Sequence, residues 1–176
     1  AKDNGEAYYL LGKLYGEKQD IETAEKHLRT AADIYDNRRA QEVLYKLYAD
    51  NNNLTLEKHY LTLLADENHL ESFVLLGNIF SDEKNYNLAY TNYTHFFEGK
   101  KRSNAKVDMK KIDEEKLKFN FGKCCIKLGK FEDAERNLKD NSYLKVSDNV
   151  IEVAKLYEEA EQLKIAIQYY KSALHV

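Results

Sequence analysis

The eight residues Tyr8-Tyr9-Leu10-Leu11-Gly12-Lys13-Leu14-Tyr15 return 65 positions later as Phe73-Val74-Leu75-Leu76-Gly77-Asn78-Ile79-Phe80. Nine residues beyond the last aromatic of each copy stands an alanine, Ala24 and Ala89. A large apolar residue, a glycine and an aromatic on one helix, then a small residue on the next, marks helix pairs stacked in series. The absence of Pro and the presence of only 7 Gly argue against a turn-rich β fold. Arrays of this kind offer extended surfaces more often than closed catalytic pockets.

Laid in register, five units begin near Gly5, Arg38, Leu70, Glu115 and Ser147, at intervals of 33, 32, 45 and 32 residues. In the first, Tyr8, Leu11, Gly12 and Tyr15 form a stripe on a first helix, and Ala24, Leu28 and Ala31 one on a second opened by Ile21. The third repeats this with Phe73, Leu76, Gly77, Phe80, Tyr86, Ala89, Tyr93 and Phe96. Phe121, Gly122, Cys125, Phe131, Ala134 and Leu138 give the fourth; Val153, Ala154, Tyr157, Leu163, Ala166, Tyr170 and Ala173 give the fifth. Small residues sit where paired helices approach to roughly 8–10 Å, and aromatics fill the space between pairs.

These units resemble tetratricopeptide repeats. The resemblance covers nearly the whole chain and implies an all-α fold, a right-handed superhelical array of antiparallel helix pairs. Residues 1–98 would form three units, 99–113 a basic insertion or helix extension, and 114–176 two further units of one continuous solenoid. The second unit departs from the pattern: Glu57 stands where Ala is expected and Tyr45 where Gly is, which predicts irregular packing or a one-residue slip. In the fourth, Lys118 takes the first aromatic position and Phe119 follows one residue late.

Little in the chain suggests catalysis. The five His are scattered without metal-ligand spacing, and neither a phosphate loop nor a nucleophile elbow occurs. The carboxylates fall on wet helix faces beside Lys. The expectation is a chain that is not an enzyme and takes no cofactor or metal. Cys124 and Cys125 are neighbours on a helix and diverge by about 100°, so reduced, intracellular thiols are preferred. Cys125 reads as a small buried hydrophobe and Cys124 as the more exposed of the two. Asn53-Leu54-Thr55 and Asn92-Tyr93-Thr94 read as chance glycosylation triplets. The net charge is −3, and no apolar run is long enough for a membrane span. The N-terminus has neither an initiator Met nor an apolar signal region, as in a piece of a longer chain.

The resemblance also implies a concave groove lined by the first helix of each pair. The matching positions follow the first aromatic and the glycine: Tyr9 and Lys13, Glu42 and Lys46, Val74 and Asn78, Phe119 and Lys123, Ile151 and Lys155. Relatives that clamp acidic chaperone C-termini carry Lys then Asn at the first pair of positions; Tyr9 and Lys13 do not reproduce that clamp. The expected function is a scaffold or adaptor that binds a protein or peptide partner, acidic with apolar anchors. Two alternatives stay open. One is a structural segment of a larger assembly, with self-association through the terminal helix. The other is a nucleic-acid contact through Lys100, Lys101, Arg102, Lys106, Lys110 and Lys111.

Overall fold

In the computed structural model, residues 2–66, 68–102 and 112–176 are described, and their regular structure is entirely helical. They fall into two compact units, Ala1–Ser72 and Phe73–Val176. The first contains α1 (Lys2–Glu17), α2 (Ile21–Arg29), α3 (Arg38–Asp50), α4 (Leu54–Leu64) and the start of α5 (Leu70–Asp82). The second contains the rest of α5, then α6 (Tyr86–Arg102), α7 (Glu114–Lys127), α8 (Phe131–Leu138), α9 (Ser147–Glu159) and α10 (Leu163–Ala173). Gly99–Arg102 therefore prolong α6 as a helix extension. The remainder of the basic segment, including Lys106, Lys110 and Lys111, lies in 103–111, outside the described residues.

Each helix pair turns in the same way. Gln19, Asn52, Lys84, Gly129 and Glu161 all have positive φ, between 55° and 69°. Each stands fourteen residues after the first residue of its unit. The next residue donates its amide five residues back, as in Asp20 to Tyr15, Asn53 to Tyr48 and Gln162 to Tyr157 at 3.0, 2.8 and 2.8 Å. The left-handed residue and this bond close the first helix in a Schellman turn. The same next residue then opens the second helix. Asp20 and Asn53 accept from Thr23 and Leu56 amides at 3.2 and 3.3 Å, satisfying donors that a helix start leaves open.

The close crossings lie where the small residues are. A Cβ on Gly12 would come within 2.6 Å of Leu28 Cγ, and one on Gly122 within 2.6 Å of Leu138 Cγ. The second pair keeps the register despite Tyr45 and Glu57, because its left-handed turn and cap stay at Asn52 and Asn53. The expected slip does not occur. Tyr45 is buried with its ring edge-on to His69, at 6.3 Å and 76°, and so finds its contact beyond the end of α4. Glu57 is half-buried, and burial raises its carboxyl above the ordinary value.

After Arg29 the second helix of the first pair continues as a π-helical turn, Thr30–Ile34, which the periodicity did not indicate. Its Asp33 accepts the Tyr60 hydroxyl at 3.0 Å, and Glu25 accepts the Tyr48 hydroxyl at 2.6 Å. The two tyrosine rings stack at 5.8 Å and 8°. Two buried phenols thus bring their polar ends to carboxylates at the surface, as buried Tyr requires. Burial first, then the Asp33 bond, pushes the Tyr60 phenol up to about 12.

Three sequence expectations need correction. Leu11 and Leu163 are exposed, at 41% and 60%, although both were assigned to buried stripes. Leu163 is the first residue of α10, where Cβ tilts back over the preceding turn and away from the core. Cys124 is as buried as Cys125, its thiol donating to the Tyr86 carbonyl at 3.2 Å. Burial raises the two thiols to about 11 and 12, far from a reactive thiolate.

Candidate functional site: the face of the first helices

In Ala1–Ser72 the candidate positions lie on α1 and α3. Tyr9 is half-buried beneath the Arg39 guanidinium, 4.8 Å from its ring centroid, and Arg39 is ion-paired to Glu6. Glu6 and Arg39 occupy the same register position of successive first helices. This joins α1 to α3 on one face. Lys13 and Lys46 are exposed there, Lys46 with Nζ 5.6 Å from the Tyr45 ring centroid, and Glu42 is half-buried.

In Phe73–Val176 the positions lie on α5, α7 and α9. Asn78 Oδ1 accepts from the Tyr93 hydroxyl at 2.9 Å and from Asn120 Nδ2 at 3.4 Å. Lys123 Nζ lies 4.7 Å from the Phe119 ring centroid and 2.9 Å from Glu152 Oε1. Lys127 is bonded to Glu159. Polar pairs thus link α5 to α7 and α7 to α9. Ile151 is half-buried and Lys155 exposed.

Val74 and Phe119 are largely covered, at 8% and 4% exposure. Phe119 stacks on Tyr143 at 5.7 Å and 24°, and Tyr143 donates to Asp113 Oδ2 at 2.6 Å. That bond holds the Asp113 carboxyl below its ordinary range.

The sequence reading missed Glu6, Arg39, Asn120, Tyr143 and Glu152. One signal was present. In the second unit the residue eight places into one repeat bonds the residue five places into the next, as Asn78 does with Asn120 and Lys123 with Glu152. The corresponding partner position for Lys13 is Val43, which is apolar, and Lys13 stays exposed.

Residues 5–38 match the family model described as tetratricopeptide repeat. The matched stretch spans the first helix pair and its π-helical turn. No curated protein matches the chain. No helix among the described residues is long and apolar enough to cross a membrane. Tetratricopeptide repeats generally mediate protein–protein interaction and are typically non-catalytic. Residues 5–38 are thus similar to a tetratricopeptide repeat, and helices paired in series, with no strand among the described residues, are consistent with a helical-repeat fold of that kind.

Proposed function

We propose that the chain is a protein-interaction module with no chemistry of its own, and that its ligand is an acidic, extended segment of a partner protein. The observation that carries this reading is the unequal state of charge on the first helices. Lys13, Lys46 and Lys155 are exposed at the same register position, whereas Glu6 and Glu152 are already engaged by Arg39 and Lys123. Among the candidate positions only Glu42 remains as a carboxylate against Lys13 and Lys46, and none stands against Lys155, so cationic charge is left over on this face in each unit. Tyr9 and Ile151 add apolar contact, while Val74 and Phe119 support the surface from beneath.

Rigid helices present these groups with little ordering cost. Exposed pairs contribute only about 0.2–1 kcal/mol each, so affinity would be on the order of micromolar and would fall with salt. Within the basic segment, Lys100 is engaged by Glu114 and Arg102 by Glu98, which favours a protein ligand over nucleic acid.

Fluorescence anisotropy with capped peptides alternating Glu and Leu, against the same peptides with Gln, tests the reading. The acidic peptides should bind more tightly, and Lys13→Glu or Lys155→Glu should weaken them. Equal binding of both peptide sets, or unchanged binding in both variants, would remove these faces from consideration.

A further inference from the structure

We infer that Phe73–Val176 carries a second binding site, a trench between α8 and α10 that takes an arginine side chain from a protein partner. The trench is open to solvent and encloses about 490 Å³, within the range of ligand sites. Tyr157 forms its floor, stacked on Tyr169 at 5.5 Å and 17° and tilted against Phe131 at 6.1 Å and 36°. Three rings thus run continuously from α8 to α10, and Ile165 adds an aliphatic wall.

Glu132 and Glu135 stand on the α8 side, both exposed, three residues apart on one helix face. Among the described residues neither has an ion-pair partner; the neighbouring Arg136 is committed to Asp133 at 3.0 Å. Burial raises both the Tyr169 and the Tyr157 phenols; the charge of Glu135 follows for Tyr169, and for Tyr157 it comes after the neighbouring Tyr169, so the carboxylate's field reaches into the trench.

This combination selects its occupant. An anion would meet two unpaired carboxylates, and a purely apolar group would use the rings but make no use of the negative charge at the rim. A guanidinium stacks on aromatic faces and bonds carboxylates with its planar fork, so it would use the half-buried rings of Phe131 and Tyr169, backed by Tyr157, together with the rim. Because the trench is open, an arginine can enter while still attached to its backbone. The site lies on α8, α9 and α10 apart from Lys155 and Ile151, so its outcome is independent of the face proposed above.

Nuclear magnetic resonance titration of the full isotope-labelled chain tests the inference. The probes are a capped Ala-Arg-Ala tripeptide and the same peptide with citrulline, which keeps the shape and removes the charge. Saturable shifts are expected at the amides of Ile165, Gln168 and Tyr169 with the arginine peptide, and much weaker ones with citrulline. The double variant Glu132→Gln/Glu135→Gln, both at exposed positions, should bind about tenfold more weakly with an unchanged unfolding midpoint. Absence of saturable shifts, an equal response to citrulline, or unchanged affinity in the double variant would overturn the assignment.

Discussion

A Cβ placed on Gly77 would lie 2.5 Å from Cε1 of Tyr93, closer than side chains approach one another. Tyr93 stands sixteen residues after Gly77, as Leu28 does after Gly12 and Leu138 after Gly122. Its ring is fully buried, and its hydroxyl reaches Asn78 on the same helix as the glycine. The glycine is thus a socket for the tyrosine. Gly77→Ala should destabilise the protein by about 1–3 kcal/mol through overpacking. Chemical denaturation measures this, and the loss should shrink when Tyr93 is replaced by Ala in the same background, because Leu at this position already crowds Gly12 and Gly122.

The left-handed turns give a second expectation. Lys84 holds φ 60° with a side chain that disfavours it, whereas Gly129 holds φ 69° with open space where a Cβ would go. Lys84→Gly should stabilise and Gly129→Ala destabilise, each by roughly 1 kcal/mol, because only the backbone preference changes. Opposite shifts in thermal midpoint are the check.

Asp33 and Tyr60 depend on the π-helical turn. Removing the acceptor with Asp33→Ala leaves a buried phenol unpaired and should cost about 1–3 kcal/mol. Tyr60→Phe removes the hydroxyl itself and should cost less. A double-mutant cycle read by urea unfolding should show the two losses to be non-additive.

Glu57 should carry a pH signature. Its folded value lies above the ordinary 4.5 because burial penalises the charge. A raised value means that stability is fully present below the unfolded value and lost as pH rises through the folded one. Glu57→Gln should therefore stabilise the protein at pH 7, and its advantage should fade on acidification towards pH 4.5 and below. Denaturation of both proteins across that window decides the matter.

Phe119→Ala should act on folding first. The ring is buried against Tyr143, so its loss should cost about 3–5 kcal/mol. A lowered midpoint without ligand separates that cost from any effect on binding.

Much of the fold was legible because the pairing of helices is a short-range matter. Gly12, Gly77 and Gly122, with Ala24, Ala89 and Ala134, are set by how closely two helices joined by one tight turn can cross, and a spacing in sequence records that. The turn residues Gln19, Asn52, Lys84, Gly129 and Glu161 follow the same register, although four of them carry no glycine to announce it. Tertiary structure alone decided what depends on neighbours distant in sequence. The outlet for Tyr45 towards His69, the π-helical turn that brings Asp33 to Tyr60, and the engagement of Lys123 by Glu152 are of this kind. So is the trench, where Phe131, Tyr157 and Tyr169 meet from three helices. Periodicity says which side of a helix is apolar; only packing says which of those residues is covered, which is paired, and which is left free to meet a ligand.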